Sequence, residues 1–158
     1  MVLASVVLVL AGCEATIRSE SQVPYTPGQG VWADVDGLRV RGVVAVAPSN
    51  GSATLVGTIL NEGRQGDALV AIRLPDGRAE LGRSPLSIPP GRARVLGVDT
   101  SLGRATPATL RGPGIRLGEV VPVTFVFDRA GRVSLDVLVV AREGPFATVG
   151  PPGGAAAP

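Results

Sequence analysis

From Gly37 onward the apolar residues of this chain recur at every second position, and that period excludes most folds. Val121, Val123, Phe125 and Phe127 form one row, Asp128-Arg129-Ala130-Gly131 follows, and Val133, Leu135, Val137 and Val139 form a second. Successive side chains of a strand point to opposite faces, so two such rows joined by a Gly-containing loop predict a hairpin with one buried face. Leu38, Val40, Gly42, Val44 and Val46 make a further row, with Arg39 and Arg41 on the opposite face. Ala53, Leu55, Gly57 and Ile59 make another, between the turn signals Asn50-Gly51 and Asn61-Glu62-Gly63. Residues 68–74, 86–88, 92–98 and 108–110 are predicted as shorter strands. No segment has the 3.6-residue period of an amphipathic helix.

Short strands at fairly regular spacing, broken by 22 Gly and 14 Pro, predict an all-β chain. The expected architecture is an immunoglobulin-like or cupredoxin-like β-sandwich of about seven to nine short antiparallel strands. The length of 158 residues suits one domain with extensions. The sandwich is expected over 37–147. The Gly/Pro/Ala-rich stretch 148–158 reads as a disordered tail.

Composition removes whole classes of chemistry. There is no His, all 15 cations are Arg, and Cys and Met occur once each. A chain without His has no Ser-His-Asp or Cys-His catalysis and no imidazole metal site. Without Lys it has no Schiff base and no P-loop. No catalytic residue, cofactor or metal ligand is therefore assigned. The cations are scattered among 13 carboxylates and only 3% of residues are aromatic, so no nucleic-acid partner is expected. Gly28-Gln29-Gly30-Val31-Trp32-Ala33 lacks the preceding strand and following helix of a dinucleotide motif, and Asp34-Val35-Asp36-Gly37 reads as a turn rather than a calcium loop.

The single Cys is placed where it carries a message. Residues Met1 to Ala11 are apolar except for Ser5, and they run into Leu10-Ala11-Gly12-Cys13. An apolar run of this length matches the core of a signal peptide and is too short to span a bilayer. The tetrapeptide resembles a bacterial lipobox, in which the Cys thiol takes a diacylglyceryl group and becomes the mature N-terminus. Residues 1–12 are thus expected to be a lipoprotein signal peptide. The first cation is Arg18, so the start of that peptide is expected to lie upstream or to be truncated. Two acyl chains, at about 0.8 kcal/mol per buried CH₂, hold a protein stably to a membrane. The expected location is the extracytoplasmic side of the cell membrane, with Cys13 as the lipid attachment. Residues 13–36 read as the lipidated N-terminus and a tether. Tyr25 and Trp32, the only Tyr and Trp, lie on that tether. Together with Arg39 and Arg41 they are candidate contacts for a partner or for lipid headgroups.

Several stretches in order resemble the LpqE-type lipoproteins of actinobacteria, a group similar to the periplasmic copper chaperones called PCuAC. They are the lipobox, Val40-Arg41-Gly42-Val43, residues 53–59, Ile88-Pro89-Pro90-Gly91-Arg92, and residues 121–127 leading into Ala130-Gly131. The resemblance implies the same sandwich fold and a non-catalytic role. It implies an interaction or accessory subunit associated with a membrane-protein partner, the respiratory cytochrome oxidase complex being the first candidate. Those chaperones hold Cu(I) with paired His and Met, soft ligation suited to that ion. The resemblance places one His-x-Met pair within Ala105 to Arg111, and none stands there. A copper chaperone-like delivery protein using other ligands is the alternative.

Overall fold

The computed structural model describes residues 30–152. Among them run eleven strands: β1 Val31–Val35, β2 Leu38–Ser49, β3 Ser52–Asn61, β4 Asp67–Arg73, β5 Arg78–Leu81, β6 Leu86–Ile88, β7 Ala93–Leu96, β8 Ala105–Thr106, β9 Ala108–Arg111, β10 Val120–Phe127 and β11 Arg132–Ala141. The one helical piece among the described residues is a 3₁₀ turn, Gly144–Phe146. The expected all-β sandwich is the fold found. Its strands outnumber the expectation because some are brief, β8 having 2 residues and β6 having 3.

The strands follow the order β5-β9-β3-β2-β11-β10-β4-β6, with β1 beside β2 and β7 beside β3 and β8. β11 ties the two layers together. It pairs antiparallel with β10, Phe125 lying opposite Val133, and then parallel with β2, Val139 lying opposite Ala45. That parallel pairing departs from the purely antiparallel sheet expected. A strand long enough to leave one layer and join the other closes the sandwich without an additional connection.

The core lies between the layers. Leu38, Val40, Leu55, Ile59 and Leu110 face Leu69, Val123, Phe125 and Val137, all fully buried or nearly so. The Phe125 and Phe127 rings stack with centroids 6.5 Å apart. Burying a side chain of this size contributes roughly 1.5–3 kcal/mol. The hairpin is as read: Val121, Val123, Phe125 and Phe127 are buried, and the Phe127 amide donates to the Gly131 carbonyl at 2.7 Å across the turn.

Three local expectations change. The row on β2 does not keep its parity. The register slips between Arg41 and Val44, and Gly42 takes φ 61°. This bulge sends Val43, Ala45 and Ala47 into the main core with Leu38 and Val40. Val44 and Val46 turn to the opposite face. A bulge adds one residue on one strand, and one residue reverses the facing of everything after it.

The ordered domain also begins before Gly37. Val31, Ala33 and Val35 pack on the main core as part of β1, so the last part of the proposed tether is a strand. At the other end Val149 is 2% exposed, packed with Val44 and Val46, and the Thr54 hydroxyl donates to the Gly150 carbonyl at 2.8 Å. The start of the expected tail is thus a cover over the outer face of β2. The bulge explains the second change in part, since it creates an apolar outer patch that something must cover.

Candidate functional site

Cys13, the lipobox residues Leu10, Ala11 and Gly12, and Tyr25 lie outside the described residues. The remaining candidates, Trp32, Arg39 and Arg41, come together on the outer face of β1 and β2. Ala33 lies opposite Val40 and Asp34 opposite Arg39. Trp32 and Asp34 are two residues apart on one strand and so share a face. Trp32 is 68% exposed, the largest exposure among the described large apolar residues.

The two arginines are committed to carboxylates. Arg41 Nη2 lies 2.5 Å from Asp34 Oδ1, and Arg39 Nη1 donates to Asp34 Oδ2 at 2.6 Å. Arg39 Nε donates to Glu62, at the end of β3. Arg41 Nη1 also donates to the carbonyls of Ala33 at 3.0 Å and Val40 at 2.9 Å. The hydrogen bond from Arg41 is the main reason the Asp34 carboxyl is held below the ordinary carboxylate range. Partial desolvation opposes it, and the charges of Arg41 and Arg39 add to it. The Arg39 guanidinium is held above its usual range, first by its hydrogen bond to Glu62, then by the charges of Glu62 and Asp34. Two cations and two anions are thus paired on this face. It presents an exposed indole beside a neutral, ordered ion-pair network.

The stretch in which the resemblance places a metal ligand pair is packed instead with small and apolar side chains. Ala108 and Leu110 on β9 are 1% and 0% exposed, and the Pro107 carbonyl accepts the Gly82 amide at 2.8 Å. Among the described residues no group of three or more His, Cys, Asp and Glu is placed to hold a metal ion. No helix among them is long and apolar enough to cross a membrane.

One concave site lies where sequence reading assigned only turns. The β1–β2 turn, the β3–β4 loop and the β10–β11 turn meet around a cavity of about 320 Å³ lined by Asp36, Asn61, Arg64, Gln65, Asp67 and Arg129, among others. Its walls are pinned. The Glu62 amide donates to the Gly37 carbonyl at 2.8 Å. Asn61 is 1% exposed; its amide nitrogen donates to the carbonyls of Gln65 and Ile88 at 2.8 and 2.9 Å, and its oxygen accepts the Gly63 amide at 2.9 Å. Asp67 accepts from the amides of Ala68, Arg129 and Ala130 at 2.7, 3.0 and 2.9 Å. The Gly-Arg-Gln-Gly-Asp run at 63–67 is visible in the sequence. That it meets Arg129 across the sandwich is not.

No protein-family model matches the chain, and no curated protein sequence matches it. Solved structures do. The apo PCuAC domain from PmoF1 superposes with a TM-score of 0.59 at 25% identity, covering 70% of this chain and 99% of that domain. The copper-bound PCuAC domain from PmoF2 gives 0.58 at 19% identity, covering 70% and 98%. The apo PCuAC domain of PmoF2 gives 0.57 at 19% identity, covering 72% and 98%. The chain is therefore similar in fold to PCuAC domains over almost the whole of those domains.

Proposed function

We propose that this chain is a non-catalytic accessory module of the cell envelope with a copper chaperone-like fold. Cys13 tethers it to the extracytoplasmic face of the membrane, and it serves copper delivery by docking on a membrane-protein partner. The observation that carries this reading is the likeness to PCuAC domains along nearly their full length, in a chain without His. The scaffold supports a copper-related role. The residues argue that the ion is held elsewhere, because a His/Met site cannot be assembled from one Met at position 1 and no His. The exposed Trp32 supplies a docking surface of the kind enriched at interfaces.

Affinity purification from gently solubilised membranes tests the docking. A membrane-protein partner is expected to co-purify, the respiratory cytochrome oxidase complex being the first candidate. Recovery of the chain alone in several mild detergents refutes it. Titration with Cu(I) is expected to show no tight site, and sub-micromolar Cu(I) binding overturns the accessory role. A second reading follows from the copper-bound state of one neighbour of the same fold. In it the chain delivers a metal ion through carboxylate and carbonyl oxygens, which favour harder ions than Cu(I). Saturable Cu(II) binding that is lost on carboxylate substitution would favour it.

A further inference from the structure

We propose that the cavity between the β1–β2, β3–β4 and β10–β11 turns binds a phosphate group on Arg64 and Arg129. The inference does not depend on the copper-related role. The cavity, about 320 Å³, is large enough for a small ligand.

The charges around it are arranged unequally. Asp67 lines the same wall, and both its oxygens accept main-chain amides, including that of Arg129. It holds the β10–β11 turn in place and forms no ion pair with either arginine. Arg129 donates to the side-chain oxygen of Gln65, a neutral acceptor. Among the described residues neither Arg64 nor Arg129 has a carboxylate within ion-pair distance, whereas Arg39 and Arg41, on the neighbouring strand, are both paired. Two guanidiniums without a carboxylate at ion-pair distance thus line one concave site, which the Asp36 and Asp67 carboxylates line as well. Planar guanidinium forks match phosphate oxygens, and two of them suit a group with three free oxygens better than a carboxylate with two.

Asp36 limits the choice. It is exposed at the tip of the β1–β2 turn, and its carboxylate makes no hydrogen bond or ion pair among the described residues. Its charge opposes a polyphosphate more than a single phosphate. Gly63 and Gly66 add no side chain to the cavity wall on either side of Arg64-Gln65.

Isothermal titration of the full chain carrying Cys13→Ser, in chloride buffer, with inorganic phosphate tests the site. Saturable binding is expected, weakened about tenfold by Arg64→Gln or Arg129→Gln, as for loss of a charge-assisted hydrogen bond. Arg111→Gln on β9 controls for net charge and should leave binding unchanged. Non-saturable binding, or equal loss in all three variants, overturns the proposal. Circular dichroism of each variant separates lost binding from lost fold. Sedimentation with phosphatidylglycerol vesicles then distinguishes the source of the phosphate. Vesicle binding that falls in the Arg64 and Arg129 variants assigns the site to lipid headgroups. Phosphate binding without vesicle binding assigns it to a soluble phosphate.

Discussion

Gly30 lies against the backbone of Gly42, so close that a Cβ on Gly30 would stand 2.5 Å from the Gly42 carbonyl carbon. Gly30 has φ 66° and Gly42 has φ 61°. The first glycine brings β1 onto the sheet at the point where the second makes the bulge in β2. Gly30→Ala therefore meets both a clash and a left-handed backbone. It should cost about 1–3 kcal/mol, read as a lower midpoint in urea unfolding. A midpoint within error of the parent would show that β1 is not an integral strand.

The network around Asp34 predicts a pH dependence with a definite sign. The folded-state pKa of Asp34 is depressed, so its contribution is present above the unfolded-state value and is lost as pH falls through the folded-state value. Asp34→Asn should lower the thermal midpoint at neutral pH. The gap to the parent should stay constant down to about pH 4 and close below it. It should also shrink in high salt, because these groups are exposed. A gap that persists at pH 2 would point to packing rather than charge.

Asn61 was readable in the sequence only as part of a turn, yet it is the buried hub of the β3–β4 loop. Asn61→Ala leaves the carbonyl of Ile88 without that donor and frees the loop that carries Arg64. The expected loss is about 1–3 kcal/mol, with weakened phosphate binding at temperatures where the variant remains folded. Unchanged stability would mean that water replaces all three bonds.

Val149 tests the cover over the outer face of β2. Val149→Ala removes buried methyl groups next to Val44 and Val46 and should cost about 1–2 kcal/mol. Faster proteolysis after Arg142 should accompany it. An unaltered cleavage rate would show that the segment is held by its hydrogen bonds to Ala47 and Thr54 alone.

Lipidation has its own test. Cys13→Ser should release the chain from the membrane fraction and remove the mass of the acyl groups from the mature protein. Retention with unchanged mass would remove the anchor from the proposed function.

The strands and turns were legible because they rest on local chemistry. Alternation in Val121–Phe127 and Val133–Val139 needs one buried face, and Asn50-Gly51 and Asp128–Gly131 supply turn backbones. The facing of Val44 and Val46 was not legible, because it depends on a bulge between Arg41 and Val44 that only the pairing of β2 with β3 reveals. Trp32, Arg39 and Arg41 were identifiable as residues of interest. The pairing of the two arginines with Asp34 and Glu62 was not, since Glu62 arrives from a different strand end.

By itself the sequence determined the all-β class, the positions of most strands and the lack of any His among the 158 residues. Those follow from periodicity and from which atoms the chain contains. Tertiary structure alone decided that β1 and Val149 pack onto the sandwich, which arginines are paired, and that Arg64 and Arg129 share one cavity. Each of these depends on residues far apart in the chain meeting at fixed distances, and a one-dimensional pattern carries no such distances.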